Sequence, residues 1–306
     1  MLLAVLTVGC SAATGAEVQI GDRKVAITTT TTFITDAAVR VGGDRVEVTA
    51  LMGPGVDPHL YRASAGDVQS LREADLVIYG GLNLEGKMAD LLADIADRRP
   101  TLAITDAIAR EDLLPAPGTD PADQQYDPHV WFDVALWRMA VSSVTDTLIE
   151  LDPAHADTYR ANSEEYLNEL DALDSEVRDR IASIPAEHRL LVTSHDAFEY
   201  FGRRYGMEVA AIQGISTAAE ATTADVERVA TLLAERQVPA VFVETSVPRQ
   251  TIDALLAATA ERGHDAVIGA ELFADAGGSA GTPEATYPGM VRANSIRIAT
   301  ALGGTP

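Results

Sequence analysis

Residues 154–182, "AHADTYRANSEEYLNELDALDSEVRDRIA", contain neither glycine nor proline. Tyr159, Tyr166, Leu170, Leu173, Val177 and Ile181 recur through them at helical spacing, which places one apolar stripe on one face of an α-helix. Asp152-Pro153 opens the stretch and Pro185 follows it, so both ends are marked. A helix of this length spans roughly 45 Å at 1.5 Å per residue. A coiled coil has a similar spacing, but a single stripe this short favours a helix packed across the whole protein.

On both sides of this helix the pattern is different. Before it, "KVAITT" reads as a strand (about 24–29), the following segment as a helix (about 33–41), and the stretch after Gly42-Gly43 as a strand (about 45–51). "SAGDVQSLREA" (helix), "DLVIYGG" (strand), "LEGKMADLLADIADR" (helix) and "TLAITDA" (strand) continue the alternation, and "FDVALWRMAVSSVTDTLIEL" is a helix. After it the alternation restarts with the strands "RLLVTS", "MEVAAIQG", "PAVFVET" and "DAVIGA", separated by helical segments. A last helix covers about 284–302. Strand–helix alternation implies parallel βα units. With 306 residues, the chain accommodates two such units. The expected fold class is α/β: two lobes, each with a mostly parallel sheet, joined by one long rigid helix. The expected division is a leader and tether over 1–21, a first lobe over 22–153, the linking helix over 154–184 and a second lobe over 185–306.

The formal net charge of -23 excludes sequence-independent nucleic-acid binding, which needs a basic face. It equally excludes docking on anionic lipid through a polybasic patch. The single cysteine, Cys10, rules out a disulfide within the chain. It ends the short apolar run "MLLAVLTVGC", which is too short to span a membrane and reads as part of a secretory signal. A Cys after such a run is the residue that becomes lipidated in bacterial lipoproteins. Thr7 stands where Leu is usual, and an ordinary signal or a buried Cys is the competing reading. The expected location is extracytoplasmic, anchored to the membrane by lipid on Cys10 or periplasmic.

Ligand sites in open α/β sheets lie beyond the carboxyl ends of the strands. Four metal-ligand residue types follow a predicted strand. His59 and His129 each close an Asp-Pro-His tripeptide, "VDPH" and "YDPH"; His195 directly follows "LLVTS"; Asp275 precedes "GGSAG". Taken singly, a loop histidine is ordinarily a surface residue and an Asp before glycines a turn residue. The case is collective, with two residues from each lobe able to meet in the cleft. Three imidazoles and a carboxylate suit a borderline divalent ion such as Zn, Mn or Fe(II), whereas calcium and magnesium prefer oxygen shells. Proline stiffens the approach to each histidine. Asp57 and Asp127 have two readings, as turn starters or as acceptors for the second ring N–H of the adjacent histidine. Glu244, at the end of "VFVET", is either such an acceptor or a cap for the next helix.

"GPGVDPHLYRASAGDVQSLREADLVIYGGLNLEGKM", "DPHVWFD", "LVTSHDAFEYFGRRYG", "QGISTAAEAT" and "GTPEATYPGMVRANSIRIATAL" closely resemble the ABC-transporter solute-binding proteins for manganese, zinc and iron. The resemblance runs from about residue 22 to 304. It implies two Rossmann-like lobes bridged by a rigid helix, one metal ion in the cleft, and His59, His129, His195 and Asp275 as its ligands. It also implies an ABC permease with its ATPase as partner, a monomer, and no enzymatic activity. The loop at about 111–128 has none of the histidines common in zinc-type members, and "GPGVDPHLY" and "QGIST" resemble the manganese/iron branch. However, many manganese-specific members place Glu where this chain has His195, and a third imidazole suits zinc. The expected cargo is manganese, then zinc, then iron. Two alternative readings compete with a binding protein. A metallohydrolase needs an open coordination position and a nearby base. A surface adhesin would use the metal as a structural staple.

Overall fold

The computed structural model describes residues 20–117 and 125–306. Cys10 therefore lies outside the described residues, as does the middle of the loop before His129. The first lobe runs β1 (Val25–Thr29), α1 (Thr32–Gly42), β2 (Val46–Ala50), α2 (Ala65–Glu73), β3 (Leu76–Tyr79), α3 (Ala89–Ala96) and β4 (Thr101–Ala103). Its strands form one parallel sheet in the order β2-β1-β3-β4. Helices α4 (Val134–Leu151) and α5 (Ala156–Ala182) follow. The second lobe runs β5 (Leu190–Thr193), α6 (Glu199–Tyr205), β6 (Glu208–Ala211), α7 (Thr223–Arg236), β7 (Ala240–Glu244), α8 (Gln250–Ala260), β8 (Val267–Leu272) and α9 (Tyr287–Ala301). Here β5 pairs with β6 and β7 with β8, both parallel. Strand β5 adjoins β7, so the order β6-β5-β7-β8 repeats that of the first lobe. Each parallel step needs a crossover, which the intervening helices supply.

Helix α5 is the long helix expected from the sequence. It begins at Ala156 because Pro153–His155 form a separate 3-10 turn. Its buried face carries Tyr159, Ser163, Tyr166, Leu170, Leu173, Val177 and Ile181, in steps of three and four. It packs on α1, α4, α6 and α9, thereby touching elements of both lobes. One continuous apolar cluster contains this face and residues from both sheets, with Phe33, Trp131, Trp137, Phe198, Phe242 and Tyr287 among its largest members. Truncating Leu170, which is wholly buried there, would cost about 2–5 kcal/mol. Asp174 interrupts the stripe, and it is held by Arg204, Arg178 and Tyr205.

Two local expectations are corrected. "TLAITDA" is strand only over Thr101–Ala103, then a 3-10 turn over Ile104–Ala107. As the edge strand, β4 pairs with β3 alone, and Thr105 bonds through both N–H and hydroxyl to the carbonyl of Gly80. The last helix starts at Tyr287 rather than near 284, because the Thr286 hydroxyl caps the Gly289 N–H and Pro288 sits in the first turn. Among the described residues, no helix is long and apolar enough to cross a membrane.

Candidate metal centre

His59, His129, His195 and Asp275 come together. One ligand atom from each lies within 4.8 Å of the others, and all four residues are buried. Each arrives from the carboxyl end of a parallel strand, by a different local device.

After β2, ladder bonds continue one step further, from Leu51 N–H to Thr29 O and Met52 N–H to Thr30 O. The chain then turns at Gly55, whose φ of 71° suits glycine, and Pro58 leads into His59. The Asp57 Oδ1 accepts the His59 backbone N–H at 2.8 Å. His129 is carried by a loop zipped at its base, where Pro115 bridges Tyr126 and Asp127 N–H donates to Leu114 O. The Tyr200 hydroxyl, from the other lobe, donates to Asp127 O. His195 stands two residues past β5 with Glu244, the last residue of β7, beside it. Asp275 follows β8. Gly277 just beyond it donates its N–H to the Thr32 hydroxyl of the first lobe at 2.7 Å.

The imidazoles are oriented from behind. Asp127 Oδ1 accepts both the backbone N–H of His129 at 2.9 Å and its Nδ1–H at 2.7 Å. Glu244 Oε2 accepts Nδ1–H of His195, while its Oε1 accepts the N–H groups of Ser194 and His195 at 2.8 and 2.9 Å. With Nδ1 protonated and engaged, each ring turns its Nε2 lone pair toward the centre. Nε2 of His129 is 3.3 Å from Nε2 of His59 and 3.5 Å from Asp275 Oδ1; Nε2 of His195 is 3.4 Å from Asp275 Oδ2. A tetrahedron with metal–ligand bonds of about 2.0–2.1 Å has edges of roughly 3.3–3.4 Å, and these three spacings are close to that edge length. His195 Nε2 and Asp275 Oδ1 are buried without a hydrogen-bond partner. That is costly unless a ligand completes them.

Electrostatics sharpen this. Burial pushes His59 down to about 3, leaving it neutral. Burial acts the same way on His129, but Asp127 and Asp275 outweigh it and raise the group to about 9. His195 is held well above its ordinary value, because Glu244 and Asp275 overcome the cost of burial. Asp275 is held well below the usual carboxylate range, its burial being outweighed by His195, His129 and His59. The centre is a set of mutually dependent charges into which a dication fits by displacing protons.

Every residue singled out from the sequence as a ligand lies here, and so do Asp127 and Glu244. Asp57 touches the backbone of His59 but not its ring. Sequence reasoning missed Ser246, whose hydroxyl donates to Asp275 Oδ2 at 3.2 Å. Its only signal was its place two residues past Glu244. It also missed Trp131, whose ring packs edge-on against His129 and whose Nε1–H donates to the carbonyl of Ala274, next to Asp275. No local pattern marks a bond across 143 residues.

Known proteins carry the same arrangement of chain and fold. Residues 27–301 match the family model ZnuA, described as zinc-uptake complex component A, periplasmic. The manganese-binding lipoprotein MntA of Bacillus subtilis (strain 168) is 46% identical over 281 residues, 92% of this chain and 90% of that one. The zinc-binding protein TroA of Treponema pallidum (strain Nichols) is 43% identical over 302 residues, 99% of this chain and 96% of that one. The solved structure of the periplasmic zinc-binding protein TroA superposes with a TM-score of 0.87 at 44% identity, covering 91% of this chain and 99% of that one.

Proposed function

This chain belongs to the ZnuA family of periplasmic metal-uptake components, and from that premise we propose that it captures one divalent transition-metal ion between its lobes for delivery to an ABC permease. The observation that carries this reading is the buried convergence of three imidazoles and one carboxylate, two ligands from each lobe. His59, His129, His195 and Asp275 are the proposed ligands. Asp127 and Glu244 are proposed to fix the tautomer and aim of two of them. The proposed domain division is 22–153 and 185–306, joined by 154–184. Because α5 packs on elements of both lobes, closure is proposed to be small and local, and release to require the permease to draw ligands apart.

Manganese is the favoured cargo, zinc the next and iron the third. Relatives of similar identity are named for manganese and for zinc. Three nitrogen donors at these spacings suit zinc. Both oxygens of Asp275 face imidazoles, which allows the higher coordination that manganese takes. The chain is proposed to act as a binding protein rather than a catalyst, as a monomer held at the membrane by lipid on Cys10. Labelling with a fatty-acid probe, lost in Cys10→Ala, tests the anchor.

The direct test is thermal. A metal that binds only the folded state stabilises it by about 4 kcal/mol at 1,000 times its Kd, or roughly 6 °C in Tm for a chain of this size. His59→Ala or His195→Ala should remove most of that shift. An unchanged Tm of the wild type in excess manganese and zinc would contradict the reading. Phosphoester turnover lost in His129→Ala would favour the hydrolase alternative.

A further inference from the structure

The two Asp-Pro-His turns look alike in sequence and differ in what their aspartates do. Both accept the backbone N–H of the following histidine, at 2.8 Å for Asp57 and 2.9 Å for Asp127. Asp127 is buried and spends the same oxygen on the His129 ring. Asp57 is half-buried, leaves the His59 ring alone, and accepts through its Oδ2 the hydroxyl of Thr217 at 2.5 Å. Thr217 belongs to the other lobe, in the loop after β6. One carboxylate thus ties the turn that carries His59 to the opposite lobe.

The position of this bond matters. His129, His195 and Asp275 are wholly enclosed. His59 borders a cavity of about 560 Å³ lined by Asn83, Tyr126 and Pro128 from the first lobe and by Gly214 and Ser216 from the second. Ser216 immediately precedes Thr217, so the Thr217–Asp57 bond lies next in sequence to that cavity's lining. Elsewhere the interlobe seam carries buried aromatic contacts. Trp131 donates to Ala274 O, the Tyr287 hydroxyl donates to Trp131 O, and Phe33 stacks on Trp131 at 4.4 Å. Another hydroxyl tie between the lobes beside a ligand turn, from Tyr200 to Asp127 O, is wholly buried, so the half-buried Thr217–Asp57 bond is the more accessible of the two.

We propose that Thr217 is a positioning residue that latches the His59 turn to the second lobe and so sets how fast bound metal leaves. This rests on the metal-capture reading above. With the bond made, Asp57 is fixed at both oxygens and holds the backbone of His59 in place. With it broken, the turn is tied to its own lobe alone, and His59, the ligand on the cavity, is the first that can withdraw. A hydroxyl donating to a carboxylate is a charge-assisted bond, stronger than a neutral one.

The test compares Thr217→Val, which keeps the shape and removes the donor, with Thr217→Ser, which keeps the donor. Thr217→Ala serves the same purpose as Val without β-branching. Each variant is loaded with manganese, and separately with zinc, and mixed with excess chelator in a stopped-flow instrument. The expected result is release roughly tenfold or more faster in Val and Ala. Ser should stay within about threefold of wild type, with one metal bound per chain in all and the metal-free Tm of Val and Ala lowered by no more than about 5 °C. Equal release rates in wild type and Val would overturn the latch while leaving metal capture intact. Equal acceleration in Val and Ser would also overturn it, because the methyl group rather than the hydroxyl would then matter. A wild type that binds neither metal would remove the metal-capture reading, and the latch with it.

Discussion

Glu244→Gln changes one atom type in a wholly buried residue and leaves its shape almost untouched. In the wild type Oε1 accepts the N–H groups of Ser194 and His195, and Oε2 accepts the Nδ1–H of His195. Glutamine has one carbonyl oxygen. If that oxygen stays with the two backbone donors, the amide NH₂ faces Nδ1. Two donors then oppose each other unless His195 moves its proton to Nε2, the atom that faces Asp275. If the amide flips instead, the two backbone N–H groups lose their acceptor. Either way the imidazole is mis-set for a metal. Loss of such an orienting partner typically costs 10–100-fold in metal affinity, or about 1.4–2.8 kcal/mol. Chelator-competition titration with manganese and zinc measures it, with Glu235→Gln on the exposed face of α7 as the control. Affinity within about twofold of wild type, alongside a His195→Ala variant that binds nothing, would refute the orienting role.

Isothermal titration at pH 7 in buffers of different ionisation enthalpy should report about two protons released per metal, one each from His129 and His195, and none from His59. Since His129 titrates at about 9, affinity should keep rising with pH between 7 and 9; a flat profile would contradict the charges assigned to the centre. Trp131→Phe keeps the packing on His129 and strips the donor from Ala274 O, so metal affinity should fall several-fold while urea denaturation shows a loss of about 1–3 kcal/mol. Asp174→Ala should cost about 2 kcal/mol in urea denaturation, Arg204 and Arg178 being partly solvated and discounted for that. Burial raises the Asp174 pKa, but Arg204, Tyr205 and Arg178 bring it below its ordinary value. Its contribution is therefore complete above the unfolded value near 3.9 and is lost as pH falls further; the wild type and Asp174→Ala should converge in stability at low pH.

Periodicity made the architecture legible. Apolar runs bounded by turn residues gave the eight strands described here, and the glycine-free stripe gave α5, because burial is written in residue type at fixed intervals. Strand ends gave His59, His129, His195 and Asp275, since topology fixes where ligands gather. What sequence left open depended on packing between distant segments. The tripeptides at 57–59 and 127–129 are identical, yet one aspartate reaches its own histidine ring and the other a threonine 160 residues away. The five consecutive threonines at 28–32 show no local pattern that separates their roles. In the structure Thr28 bonds Ser70 O, Thr30 bonds Glu85, and Thr32 receives the Gly277 N–H from across the seam. Glu244 had two readings from its strand end; its carboxylate lies against His195, which only the side-by-side placement of β5 and β7 brings about.

The most direct measurement is anomalous diffraction from crystals of the protein loaded separately with manganese and zinc, collected at each metal's absorption edge. The account predicts one strong peak per chain, within about 2.0–2.3 Å of Nε2 of His59, His129 and His195 and of a carboxylate oxygen of Asp275. A peak held elsewhere, or none at these four residues, would contradict it.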